Sequence, residues 1–310
     1  MIDELINQII LKKNPTVAGL DTRFEYIPEF LLEKYAKPGS GFEGVASAIY
    51  EFNKQIIDAI YDLVPAVKIQ IAYYESYGIP GIEAFKLTLS HARSKGLIVI
   101  ADVKRNDIGP TAEAYSSAYI GETNLPEGSA RAFDADFATI NPYLGIDGVK
   151  PFIDDCNKYN KGIFILVKTS NPSSGDIQDI KTEEGRVYEI VARKVKAWGS
   201  GSIGKYGYSS IGAVVGATYP QQLSEIRNIM PNLYILIPGY GAQGAAGMDI
   251  VGGFCKDGLG AIVNASRSII CAWKGDFQNP AKFSLAARNE VIRMKDEIDS
   301  ALLSAGVRAW

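Results

Sequence analysis

Histidine is nearly missing from this chain: one residue, His91, in 310. It lies in "KLTLSHARSKG", a helix-like stretch away from the strand ends. A Ser-His-acid triad is thereby excluded, and no His/Cys/carboxylate set has metal-ligand spacing. Cysteine is also scarce. Cys156, Cys255 and Cys271 are odd in number, far apart and form no C-x-x-C pair, which fits reduced thiols in a cytoplasmic protein better than a disulfide framework or a zinc site. Long apolar runs are absent, so no membrane-spanning helix is expected. The opening "MIDELINQIILKKNP" lacks the basic-then-apolar order of a signal peptide and reads as an amphipathic helix. Charge of one sign is lacking too. Lys and Arg total 32 against 35 Asp and Glu, a net of -3, which gives no argument for a nucleic-acid partner and leaves room for a local anion site.

What remains is 47% hydrophobic and 22% charged, enough apolar material for one sizeable core. Eight short apolar runs recur: "TVAGLD", "AVKIQIAY", "LIVIADV", "FATIN", "GIFILVKT", "IGAVVGA", "YILIPG" and "GAIVNAS". Helical patterns such as "EGVASAIYEFNKQIIDAIYDLV", "GIEAFKLTLSHARSKG", "GRVYEIVARKVKAWG" and "YPQQLSEIRNIM" separate them. Strands apolar on both faces, alternating with helices, imply a parallel sheet covered by helices. Eight such units predict an α/β fold, a (β/α)8 TIM barrel. It would be a single domain over residues 1–310 with extended rim loops; a doubly wound open sheet is the alternative. Three irregular stretches, "TRFEYIPEFLLEKYAKPGSGF", "SNPSSGDIQDIKTEEG" and "GYGAQGAAGMDIVGGFCKDG", follow strands one, five and seven. In a barrel they belong to the C-terminal rim, where active-site loops sit. "GSGSIGKYGYSS" precedes strand six and falls on the opposite rim.

Charges gather at three of those strand ends. "LIVIADVKRND" finishes a buried-strand pattern with Asp102, Lys104 and Asp107; "AGLD" ends in Asp21; "AVKIQ" carries Lys68 inside an apolar run. A period of two turns Asp102 and Lys104 to the same side. Opposite charges ~4 Å apart attract by ~4 kcal/mol at an effective dielectric of ~20, while an unpaired buried ion costs several. Three strands delivering nearly balanced charge to one rim, with one carboxylate in excess, therefore favour a single cluster over separate surface salt bridges. The last two strands end differently. "IPGYGAQGAAG" is rich in glycine, and "NASRS" supplies Arg267 between two serines. Exposed backbone N–H groups with a guanidinium suit a phosphate, and barrel phosphate sites form after strands seven and eight.

"DVKRNDIGPT" resembles the D-x-K-x-x-D-I-x-x-T signature of the orotidine 5'-phosphate decarboxylases. "GLD", "AVKIQ", "KTSNP", "PGYGAQG" and "NASRSI" follow in that family's order, and the long "TSNPSSGDIQD" loop is similar to its longer microbial branch. "GLD" is followed by Thr22 where many members carry proline. The resemblance implies a homodimeric barrel that converts orotidine 5'-monophosphate to uridine 5'-monophosphate and CO2, the last step of de novo UMP synthesis, with no metal and no organic cofactor. It further implies that Lys104 protonates C6 of the pyrimidine, that Asp102 lies beside the substrate carboxylate, and that Lys68 and Asp21 hold the ribose hydroxyls. Asp107 and Thr111 would reach into the partner subunit's site and Ile108 would line it. Ser170 would meet the pyrimidine; Gln243, Tyr240 and Arg267 would meet the phosphate. Three alternatives differ in chemistry. A metal-assisted sugar-phosphate decarboxylase of the same superfamily has an acidic residue where Lys68 stands. A Schiff-base aldolase needs a lysine of depressed pKa, which neighbouring aspartates oppose. A phosphoribosyl-binding barrel would bind without turnover.

Overall fold

The computed structural model describes residues 1–241, 244, 246–275 and 279–307. Eight parallel strands close into a barrel: β1 (Thr16–Gly19), β2 (Ala66–Gln70), β3 (Ile98–Arg105), β4 (Phe137–Ile140), β5 (Gly162–Lys168), β6 (Ser209–Val215), β7 (Leu233–Pro238) and β8 (Ala261–Ala265). Each pairs with its neighbours in sequence, and β8 returns to β1. All eight expected runs are barrel strands, so the open-sheet alternative is set aside. The "AY" that ends the second run instead begins a short helix, Ala72–Glu75.

The long helices are α1 (Ile2–Lys12), α2 (Gly41–Ile60), α3 (Gly78–Ser94), α4 (Gly109–Tyr119), α5 (Ile146–Tyr159), α6 (Val187–Trp198), α7 (Pro220–Ile229) and α8 (Phe283–Ser304). Strand alternation divides the apolar residues into two layers. Val67, Ile69, Val99, Ala101, Ile163 and Ile165 face outward to the helices, while Ala66, Ile98, Ile100, Phe137, Phe164 and Ile262 fill the interior. Phe137 and Phe164 stack there, ring centroids 5.1 Å apart.

Helix α1 seals the lower end. Ile2, Leu5, Ile6 and Ile9 follow helical spacing, are buried, and join the interior cluster. The glycine-rich stretch before β6 lies at this end, as expected: Lys205 N donates to Asp3 Oδ2 and the Tyr206 hydroxyl to Asn7 Oδ1. His91 is also remote from the strand ends, its Nε2 2.9 Å from Asp58 Oδ1 between α3 and α2. With the bottom plugged and the lower layers apolar, the upper rim is left to carry polar groups.

Candidate active site

Asp102 is the hub of that rim. Its carboxylate takes four contacts, two per oxygen. Oδ1 accepts from Lys104 Nζ at 2.6 Å and Thr139 Oγ1 at 2.8 Å; Oδ2 accepts from Lys68 Nζ at 2.6 Å and Gln70 Nε2 at 3.1 Å. That uses the ~4 acceptor sites of an ionised carboxylate. Lys68 Nζ also contacts Asp21 Oδ1 at 3.3 Å, bridging β1 and β3. The side chains of Asp102 and Lys68 are only 8% and 5% exposed, whereas Lys104 is 43% exposed and opens to the cavity.

Burial by itself would raise the pKa of Asp102, but Lys68 and Lys104 outweigh it and hold the carboxyl well below its usual range. Burial would likewise lower Lys68, and Asp102 with Asp21 outweigh it, leaving the ammonium above its ordinary value. Three adjacent strands thus deliver one paired cluster, as the strand-end charges imply. An amine of depressed pKa, which the Schiff-base reading needs, is not what Lys68 offers.

The backbone is adapted to aim Lys104. Its φ is +46°, a left-handed conformation unfavourable for a lysine. The β3–β4 register shifts between Ala101 and Arg105, and Thr139 Oγ1 accepts the N–H groups of Val103 and Lys104, each at 3.0 Å. One hydroxyl therefore holds the bent backbone and donates to Asp102. Strain of ~1–3 kcal/mol at such a residue persists only when its surroundings over-determine it, as Thr139 does here.

Above the cluster is a cavity of about 560 Å3, within the ~300–1,000 Å3 common for small-molecule sites. Asp21, Lys68, Asp102 and Lys104 line one wall; Leu166, Ser170 and Val214 line another; Tyr240, Asn264, Ser266 and Arg267 line the β7–β8 end. Tyr240 contributes to the lining, but its phenol is buried, and burial with Glu297 nearby pushes its pKa up. Gln243 lies outside the described residues. Asp107, Ile108 and Thr111 are not in this chain's cavity lining. Asp107 Oδ1 accepts the Ile108 N–H at 2.8 Å, while Ile108 and Thr111 face solvent.

A sequence profile described as "Orotidine 5'-phosphate decarboxylase / HUMPS family" matches residues 48–274, most of the chain. The chain belongs to this family. Among relatives called orotidine 5'-phosphate decarboxylase, one from Caldicellulosiruptor bescii is 43% identical over 305 residues, covering 97% of this chain and 98% of its own. Another, from Clostridium acetobutylicum, is 44% identical over 303 residues, covering 97% and 100%. Two solved structures carry the same barrel. A putative orotidine-monophosphate decarboxylase from Toxoplasma gondii has a TM-score of 0.75 at 30% identity, covering 96% of this chain and 97% of its own. A putative orotidine 5'-phosphate decarboxylase from Streptomyces avermitilis has a TM-score of 0.76 at 28%, covering 97% and 95%.

Beyond the family signature, the geometry adds three residues that sequence reasoning missed. Gln70 lies two positions after Lys68, so strand alternation alone would have put it on the same face. Thr139 had no such signal, because its role depends on the β3–β4 register. Asn264 is buried in the cavity lining, and its Oδ1 has no hydrogen-bond partner among the described residues.

Proposed function

We propose that this chain decarboxylates orotidine 5'-monophosphate to uridine 5'-monophosphate and CO2, completing de novo UMP synthesis. One observation carries the reading. Lys104 is aimed into the cavity by a strained backbone and locked to a buried carboxylate, with Arg267 at the cavity's other end. Arg267 would take the phosphate, Asp21 and Lys68 the ribose hydroxyls, and Ser170 the pyrimidine edge. Tyr240 and Gln243 would complete the phosphate end.

The substrate carboxylate would lie beside Asp102. When CO2 leaves, the electrons of the broken bond stay on C6 as a carbanion. The Lys104 ammonium stabilises that charge and transfers its proton to C6. Water then reprotonates the amine, so one proton is consumed per CO2 released. Phosphate binding remote from C6 can be used to position the reacting carbon.

The functional unit in this reading is a homodimer in the cytoplasm. Ile79, Ile108, Tyr143, Leu144 and Ile146 are exposed on loops and helix starts after the neighbouring strands β2, β3 and β4. Such an apolar face suits a second copy. From it, Asp107, Ile108 and Thr111 would enter the partner's site. The three free thiols suit a reducing compartment. Against the metal-assisted alternative stands Lys68, whose ammonium occupies the space between Asp21 and Asp102.

The test is loss of orotidine 5'-monophosphate absorbance with purified protein and excess chelator. Formation of uridine 5'-monophosphate is expected, with most turnover lost in Lys104→Ala while product binding persists. Folded protein that turns over only with added Mg2+, or only binds, refutes the reading.

A further inference from the structure

Lys168 is a completely buried lysine that the chemistry above leaves unused. It ends β5, immediately before Thr169, Ser170 and Asn171 of the cavity lining. The β5–β6 register shifts between Val214 and Val215, and Lys168 pairs with Val215, which packs outward with the helices. Its ammonium is accordingly on the outer side, 5.8 Å from the ring of Tyr188 on α6 and 5.0 Å from that of Tyr219 at the start of α7.

There it grips the loop that follows it. Nζ is 2.9 Å from Asp179 Oδ2 and 3.1 Å from Ser174 Oγ. Asp179 Oδ1 accepts from Gln222 Nε2 at 3.3 Å, which ties the same point to α7. One residue earlier, Gln178 clamps Thr169 with two bonds: the Thr169 N–H donates to Oε1 at 2.9 Å and Nε2 donates to Thr169 Oγ1 at 2.8 Å. Across the cavity wall, a Cβ on Gly216 would come within 2.8 Å of Ser170 Cβ. The loop is seated tightly at Ser170 and fastened from behind at Asp179.

An apolar residue in this position would satisfy the core at least as well as a buried ion pair. A lysine reaching Asp179 instead fixes where the loop goes. We propose that Lys168 is a positioning residue, which through Asp179 and Gln178 holds Thr169–Asn171 as the binding edge for the pyrimidine base. The inference rests on the proposed reaction only for the identity of that base. The charge array and Arg267 occupy the other walls, and the β5–β6 wall combines apolar Leu166 and Val214 with hydroxyl and amide groups. That composition suits a flat ring with an amide edge.

The experiment compares uridine 5'-monophosphate with ribose 5-phosphate, which lacks the base, by calorimetry on the full chain. Lys168→Met and Asp179→Asn are the variants; Lys168→Met removes the buried charge and leaves Asp179, 32% exposed, in water, so it keeps the fold if Asp179→Asn, which strands the buried ammonium, does not. Both should weaken the nucleotide by ~10-fold or more, an energy of ~1.4 kcal/mol, and leave ribose 5-phosphate within ~2-fold. In a Ser170→Ala background the Asp179→Asn effect should largely vanish, because the latch acts through that residue. Equal weakening of both ligands, an unchanged nucleotide affinity, or full additivity with Ser170→Ala overturns the proposal. Hydrogen exchange over residues 169–186 should rise in Asp179→Asn and provides a readout independent of the reaction. If the parent protein binds no uridine 5'-monophosphate the functional reading fails, and unchanged exchange then refutes the latch as well.

Discussion

Lys68 and Asp102 should be far more costly to remove singly than together. Their 2.6 Å contact corresponds to a gross attraction of ~6 kcal/mol at an effective dielectric of ~20. Much of that offsets the desolvation of two nearly buried ions. Lys68→Met leaves Asp102 with one ammonium and Asp21 with none from this pair, so a loss of ~3–5 kcal/mol is expected. Asp102→Asn should cost a similar amount, since Lys68 then keeps only its longer 3.3 Å contact to Asp21. In the double variant the charged groups left are Lys104 and Asp21, which are 43% and 26% exposed and remain hydrated. The double loss should therefore fall short of the sum by ~3 kcal/mol or more. Urea unfolding at pH 7, followed by circular dichroism and fluorescence, measures all four proteins, with coincident transitions as the two-state check. The acid limb adds a second reading. Asp102 has its folded pKa held below its unfolded value of ~3.9, so its contribution is present above that pH and is lost as pH falls further. In Lys68→Met this loss should become shallower. Single effects that add to within ~0.5 kcal/mol would refute the coupled array.

Thr139→Val should leave the N–H groups of Val103 and Lys104 without their shared acceptor, costing ~1–3 kcal/mol in the same unfolding assay and reducing turnover; unchanged turnover would remove Thr139 from the aiming of Lys104. Arg267→Ala should weaken uridine 5'-monophosphate much more than uridine in calorimetry, and equal losses would sink the phosphate assignment. Mixing inactive Lys104→Ala and Asp107→Ala subunits should restore about a quarter of parental activity, since half the dimers would then hold one intact shared site; no recovery after proven subunit exchange would exclude sharing. Lys12, at the barrel foot, has its pKa lowered by burial to about 8, below the ~10.4 of an unfolded chain. Over that interval the unfolded chain holds more proton, so the parent should gain stability relative to Lys12→Met as pH rises from 8 to 10. A flat difference in urea midpoints across that range would refute it.

The architecture was legible in the chain because a barrel strand is apolar on both faces and short. Eight Val/Ile/Leu-rich runs separated by helical patterns have few other ways to bury themselves. The charged members of the site were legible for a related reason. Asp21, Lys68, Asp102 and Lys104 stand out against apolar runs, and an ion there needs a partner from an adjacent strand. Arg267 stood out at the end of the last strand. Other members were not legible in this way. Thr139 is an unremarkable strand residue until the register shift brings its hydroxyl under two N–H groups and against Asp102. Lys168 looked like the end of an apolar run until the β5–β6 irregularity turned it outward to Asp179. The left-handed backbone of Lys104 has no signature in composition or period. Hydrophobic periodicity is local and survives in one dimension. Which hydroxyl meets which carboxylate depends on register and bulges between strands distant in sequence, and only the closed barrel determines those.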